Sequence, residues 1–360
     1  MRFAFDASWV NERGAGVAIF DYAFYLREHL GCDPLVFYNR GSERHNQKSL
    51  DRFIAQFECV PYADAREFQT LVDQNKVEMT YYLKFGNNDG HLAESTKNLV
   101  HVYFRRYEPH GDVYAYVSSW LSQHMSGGRL PFVPHMVDLP PPRKGFRDRI
   151  GIPIEAFVVG RHGGFDQFDL PFVHDALLAA LAYRRDLYAV FLNTRPFCNH
   201  ERVRFLPALI DPQQKSDFID ACDMGLHGRR LGESFGLAIA EFLALNRPVA
   251  AWRGGPDRNH VALIPDHRFL YRTARDLENI LSHIGKRDLD GPWRRVVEPF
   301  SPAAVMAAFE EVFIKGKRTS NVATPIGQKL TRRAERTAQL MRDSVWAKGL
   351  SWRDRKLFSI

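Results

Sequence analysis

Short apolar runs alternate with stretches of helical period along most of the chain, a rhythm that predicts repeated βα units. Residues 2–5 read as a first strand. A loop through Gly14 and Gly16 follows, then a helix with Val17, Phe20, Ala23 and Phe24 on its apolar side. Residues 34–38, 79–83, 99–104 and 113–117 read as further strands, and Ser118-Ser119 offers an N-cap to a helix over 120–125. The pattern stops at 130–149, where Pro134, Pro140, Pro141 and Pro142 leave no place for a regular element. It then restarts, with strands over 156–160, 187–192, 224–227 and 248–252 and helices over 170–183, 212–221 and 235–245. Two α/β runs joined by a Pro-rich linker predict two doubly wound domains facing a cleft. We place the domains at 1–140 and 141–320, with a helical tail at 321–360.

The length, 360 residues, suits two such domains, and a hydrophobic fraction of 45% suits two globular cores. No apolar run reaches the span of a transmembrane helix. The N-terminus lacks the pattern of a signal peptide and reads as a strand. Cys32, Cys59, Cys198 and Cys222 form no C-x-x-C pair, which argues against a zinc site or a disulfide framework and fits the cytoplasm. The net charge of +7 is uneven: 12 basic and 3 acidic residues lie between Lys315 and Lys356, so this tail carries +9 and the rest of the chain −2. Such a tail suits a solvated helix crossing back to the first domain, with Trp346, Leu350 and Trp352 packing there. It also suits peripheral contact with the inner face of a membrane. With no helix-turn-helix and no aromatic-basic array, nucleic acid is not an expected partner.

The most informative stretch runs from Asp223 to Glu241. A short strand enters a glycine-flanked loop, Gly228-Arg229-Arg230-Leu231-Gly232-Glu233-Ser234-Phe235-Gly236, and then a helix. Free N–H groups at a helix start favour an anion, phosphate above all. Glu233 and Glu241 bracket that start. Eight helical positions span roughly 12 Å, so the two carboxylates suit the two ends of an extended ligand such as a nucleotide sugar rather than one atom. A second glycine-rich turn, Gly160-Arg161-His162-Gly163-Gly164, follows the strand over 156–160.

From Asp223 through Ala251 the chain resembles the donor-site signature of retaining GT-B glycosyltransferases, family 4 in particular. That pattern has an aspartate-led strand, a loop with E-x7-E, then a turn and a Pro-Val strand. The resemblance extends over roughly 151–300 and more loosely over the first half. It implies that Glu233 meets donor-sugar hydroxyls, that Glu241 meets the ribose, and that Ser234, Phe235, Gly236 and Leu237 cradle the pyrophosphate. It also implies that Arg161 holds the leaving diphosphate. The family's second cation, a lysine a few residues on, has no match among Phe165, Asp166 and Gln167; Arg229, Arg195 and Asn193 are the alternatives. Gly14 and Gly16 resemble the glycine loop that faces the cleft from the first domain.

On the acceptor side the candidates are polar residues at strand ends: Lys84, Asn87, Asp89, His101 and above all His110 in its Pro-Gly loop. His101 reads as a core histidine. The expected reaction is metal-independent transfer with retention from a UDP or GDP sugar to a glycan or lipid-linked acceptor. No cofactor is expected beyond the donor itself. Asp288-Leu289-Asp290 fits a bare D-x-D but lies far from the donor loop and reads as chance. A non-catalytic nucleotide-sugar or polyanion-binding module and a sugar-nucleotide epimerase on the same fold are the competing classes.

Overall fold

The computed structural model describes residues 1–12, 14–317 and 319. Two all-parallel six-stranded sheets organise it. The first contains β1 (Arg2–Asp6), β2 (Asp33–Asn39), β3 (Glu58–Tyr62), β4 (Met79–Lys84), β5 (Lys97–Val102) and β6 (Val113–Tyr116), in the order β3-β2-β1-β4-β5-β6. Its helices are α1 (Gly14–Leu30), α2 (Gln47–Gln56), α3 (Ala65–Gln74) and α4 (Ser119–Ser126). A short α5 (Phe146–Arg149) then leads into the second sheet.

That sheet contains β7 (Phe157–Arg161), β8 (Leu187–Leu192), β9 (Val203–Leu206), β10 (Met224–His227), β12 (Val249–Trp252) and β14 (Leu270–Tyr271), in the order β14-β12-β10-β7-β8-β9. Two two-residue strands, β11 (Gly232–Glu233) and β13 (Asp257–Arg258), pair beside it. Its helices are α6 (Pro171–Tyr183), α7 (Pro212–Ala221), α8 (Leu237–Ala244), α9 (Asn259–Ala262) and α10 (Ala274–His283).

The central strands follow from composition. Every residue of β6, β7 and β10 is buried, as expected for strands covered on both faces. The strands absent from the periodicity reading are edge strands. β3 carries Pro61, and β9 is only half-buried, so neither shows the continuous apolar run of a central strand. Asp223 is structural: one carboxylate oxygen accepts from the Val158 N–H (2.7 Å) and from Arg147 (3.0 Å), tying β7 to α5.

The Pro-rich segment carries the chain from one sheet to the other. Val133 and Met136 still belong to the first core, and the Pro140 carbonyl already accepts from Ser216 on α7. The return crossing differs from expectation. After α10 a 3-10 segment (Trp293–Phe300) leads into α11 (Pro302–Phe309) and a π turn (Glu310–Ile314). Val305, Met306, Phe309 and Phe313 enter the first core, against Phe3, Tyr22 and Tyr81. Thus 302–314, assigned above to the second domain, pack on the first. The crossing precedes Lys315 because the apolar stripe of α11 finds its burial there. The helical tail assigned to 321–360 lies outside the described residues.

Candidate functional site

A cavity of about 980 Å³ lies between the carboxyl ends of the two sheets, lined by both. Ligands of open α/β sheets collect there, at the point where strand order reverses. In the second sheet that point lies between β7 and β10, which end in Arg161 and His227. Both line the cavity.

Beyond β10 the chain makes a tight loop into β11. Gly232 has φ +69°, and a Cβ there would lie 1.9 Å from the Asp257 carbonyl oxygen, so only glycine fits. This turn aims Glu233 into the cavity. One carboxylate oxygen accepts from Arg229 (2.7 Å), and the other stands 3.6 Å from His227 Nε2. The Glu233 backbone N–H donates to His260 Nδ1 (3.1 Å), while His260 Nε2–H donates to the Trp252 carbonyl (2.8 Å). Burial pushes His260 down to about 3, keeping it neutral in that role. For Glu233 itself burial raises the pKa, but the Arg229 guanidinium above all outweighs it and holds the group down at about 2.

A depressed carboxylate contributes stability that is complete above its unfolded value and is lost as pH falls through the folded one. The stability gap between wild type and Glu233→Gln is therefore expected to persist from pH 8 to about 5. It should shrink only between about 4.5 and about 2. Thermal unfolding at several pH values checks this, and a gap already closing at pH 6 would contradict it.

Helix α8 begins after Gly236, with no side chain capping it, and Ser234, Phe235, Gly236, Leu237 and Ala238 line the cavity. The sequence placed the helix start at Phe235; the left-handed Gly236 (φ +98°) delays it to Leu237. The first sheet's unit grips this approach. Ser118 Oγ donates to the Ser234 carbonyl (2.6 Å), and the His135 ring meets Phe235 edge-on at 5.1 Å. Uncapped N–H groups and the helix dipole make this wall favourable to an anion.

Arg161 is 7% exposed and donates to Thr194 Oγ1 (2.5 Å), the Asn193 carbonyl (3.3 Å) and the Gly164 carbonyl (2.9 Å). Burial lowers it to about 10, so it stays cationic at neutral pH. Of the three alternatives for a second cation or donor, Arg195 pairs with Asp166 (2.5 Å) and is not among the lining residues. Asn193 lines the cavity but gives its amide to the Gly163 carbonyl (2.9 Å). Arg229 lines it and acts electrostatically on Arg161.

Glu241, on α8, is 4% exposed. Lys215 of α7 reaches its carboxylate at 2.5 Å, and His162 Nε2 stands 3.2 Å from the other oxygen. Burial pushes His162 down to about 4. In the sequence His162 stood only as part of the second glycine-rich turn, and neither Lys215 nor Asp21 was singled out. On the cavity side of α1, burial raises the Asp21 carboxyl to about 7 against the pull of Arg52 and Lys215. A lone lysine in α7 and an aspartate amid the apolar first turns of α1 were their only signals in the sequence.

Gly14 and Gly16 also line the cavity. A Cβ on Gly16 would lie 2.1 Å from the Asn11 carbonyl oxygen, whereas nothing stands within 4 Å of one on Gly14. Gly16→Ala is therefore expected to cost about 1–3 kcal/mol and Gly14→Ala less than about 0.5 kcal/mol, read by chemical denaturation. Equal effects would mean that the loop relaxes freely.

His110 is not among the lining residues. Its Nδ1–H donates to the Glu108 carbonyl (2.7 Å) and its ring packs on Tyr114, so the loop turns it inward. Lys84 is likewise tied up, with Asp89 (2.5 Å) and the His91 carbonyl (2.7 Å). His101 is a core histidine, accepting from Tyr81 (2.7 Å) and donating to the Val133 carbonyl (2.9 Å). In their place the first unit offers aromatic rings to the cavity, Phe85, Tyr103 and Phe104, with Phe85 and Phe104 stacked at 5.0 Å. Among the described residues no histidine, cysteine and carboxylate cluster is arranged to hold a metal ion. No described helix is long and apolar enough to cross a membrane.

No protein-family model matches the chain, and no curated protein matches it in sequence. Solved structures do match it in shape. HepE of Anabaena, in complex with UDP and glucose, superposes with a TM-score of 0.65 over 88% of this chain and 99% of its own, at 14% identity. A glycosyltransferase of Rickettsia africae gives 0.65 over 87% and 98%, at 14% identity. AviGT4, a glycosyltransferase involved in avilamycin A biosynthesis, gives 0.55 over 88% and 97%, at 12% identity. At this identity the likeness is one of architecture, and with the two parallel sheets and the cleft between them it establishes that the chain has the GT-B fold.

Proposed function

We propose that the protein is a glycosyltransferase that takes a sugar from a nucleotide-diphosphate donor held against the second sheet. One observation carries this reading: Arg161, Arg229 and the uncapped start of α8 share one cavity with Glu233 and Glu241. Two guanidiniums and free N–H groups suit a diphosphate, and flanking carboxylates suit hydroxyls on either side of it. Glu241 takes the ribose and Glu233 the sugar. The UDP bound by HepE supports a uridine donor.

In transfer, the bond from the anomeric carbon to the diphosphate oxygen breaks as the acceptor oxygen attacks. Negative charge grows on the departing phosphate, and Arg161 and Arg229 on the cavity wall are the cations that would meet it. The acceptor's proton passes to that phosphate oxygen on the same face, which retains configuration. Glu233, kept ionised and paired, orients the sugar rather than attacking it. Phe85, Tyr103 and Phe104 present the acceptor wall, which suits a glycan or lipid-linked sugar, and the basic tail suits approach to an anionic membrane face. We infer that no metal is required.

The test is a thermal-shift panel of nucleotides and nucleotide sugars, with and without EDTA. A ligand at 100 times its Kd adds about 2.7 kcal/mol of stability. Stabilisation by one nucleotide series, insensitive to EDTA and followed by product formation, supports the proposal. Binding without turnover in the presence of glycan acceptors favours a binding module, and no binding by the folded protein rejects the donor site.

A further inference from the structure

The turn that carries Glu233 is backed by one short segment, 257–260, which has no part in the mechanism above. Gly232 pairs with Asp257, and Glu233 with Arg258, where β11 meets β13. The Asn259 amide donates to the Phe235 carbonyl (2.6 Å), and His260 Nδ1 accepts the Glu233 N–H (3.1 Å). A shift of this segment therefore moves Glu233 and the approach to α8 with it.

Asp257, the first residue of the segment, reaches across to the other unit. Its carboxylate forms an ion pair with Arg105 Nε at 2.7 Å. Asp257 is 5% exposed, and an ion pair with one partner so buried is screened far less than a surface pair. Burial pushes its carboxyl up, and Arg105 is the strongest pull in the other direction. Neither Arg105 nor Asp257 is among the lining residues, but Tyr103 and Phe104, which lead directly into Arg105, are. Their loop is held at one end by the Tyr103 N–H on the Lys84 carbonyl (3.2 Å). At the other end the Arg106 carbonyl accepts from the Tyr116 hydroxyl (2.7 Å). Between these ends, the pair with Asp257 ties the loop to the second unit.

We propose that Arg105 and Asp257 couple the two halves of the site. A donor sugar seated on Glu233 steadies Asp257 through β11 and β13, and the ion pair in turn steadies the acceptor wall at Tyr103 and Phe104. This rests on the donor-site assignment. Both are positioning residues, since neither touches donor or acceptor. The nucleotide sugar thereby prepares the wall before the acceptor arrives. Coupling of this kind is reciprocal, so an acceptor on the wall tightens the donor by the same factor.

The experiment follows backbone hydrogen exchange in the peptide covering 103–106, alongside calorimetry, with UDP-glucose and UDP as probes. It compares wild type, Arg105→Ala, Arg105→Lys and Asp257→Asn; the last keeps the shape of the side chain and removes only its charge. In wild type, UDP-glucose should slow exchange of the loop about 5-fold or more, and UDP, which leaves Glu233 without its sugar, should slow it much less. In Arg105→Ala and Asp257→Asn that slowing should vanish. Affinity for UDP-glucose should fall by the same factor, with affinity for UDP unchanged. Arg105→Lys keeps the charge and should retain part of both effects. No slowing in a wild type that binds UDP-glucose would overturn the proposal, as would slowing that survives in both variants. Equal losses for UDP and UDP-glucose would make the pair merely structural and overturn it too. If folded wild type binds neither probe, the donor site itself fails before any variant is compared, and the proposal falls with it.

Discussion

Replacing Arg161 by alanine is expected to lower kcat about 10²- to 10³-fold, the effect of removing one oriented donor from a site of developing negative charge. Thr194, Asn193 and Gly164 hold the guanidinium before any ligand arrives, so no reorganisation is needed as the phosphate departs. Burial on the cavity wall strengthens its field compared with the same charge in water. The donor's diphosphate is charged before transfer as well, so KM should rise, but by less than kcat falls. Arg161→Lys keeps the charge and loses the fork, and should recover only part of the rate. Initial rates at saturating donor check this, with thermal unfolding as the control for folding. A variant that unfolds normally and turns over like wild type would place the leaving group elsewhere.

The second large effect is expected at Glu241. Its carboxylate already holds Lys215, and both groups are largely removed from water. Glu241→Ala strands a buried cation, a change that typically costs about 3–5 kcal/mol. It also removes the proposed ribose contact, worth more than about a tenfold loss in nucleotide affinity. Lys215→Met in the same chain separates the two effects. The double variant should regain much of the stability, because no unpaired charge remains, while nucleotide affinity stays low. If affinity returns together with stability, Glu241 serves only to hold Lys215, and the ribose lies elsewhere. Denaturant unfolding and calorimetry on the same four proteins give the complete cycle.

How much of this was legible beforehand depended on burial. Central strands such as β7 and β10 are apolar up to their last residue and were found from composition. Edge strands and strongly charged helices were not: β3 has Pro61 in its middle, and α2 and α3 bury only a few residues each. The motif around Glu233 and Glu241 was readable because strand, loop and helix are contiguous there. Lys215, His162, His227 and Asp21 come to the cavity from four separate elements, and only packing assembles them. His110 shows the reverse problem. A Pro-Gly loop announces a turn but does not say which way its side chains face, and here the Glu108 carbonyl pulls the imidazole inward.

The return of the chain through α11 also bears on how the protein is made. The first sheet emerges from the ribosome complete in its strands by Tyr116, yet Phe309 and Phe313, which cover Tyr81, follow nearly two hundred residues later. Until then Phe3, Tyr22 and Tyr81 keep an open apolar face, a surface prone to wrong partners during synthesis. The other large apolar cluster, which joins the second half to Val100, Tyr114 and Tyr116 of the first, does not draw on α11. A chain cut before Pro302 therefore leaves the face around Phe3, Tyr22 and Tyr81 without the side chains that cover it.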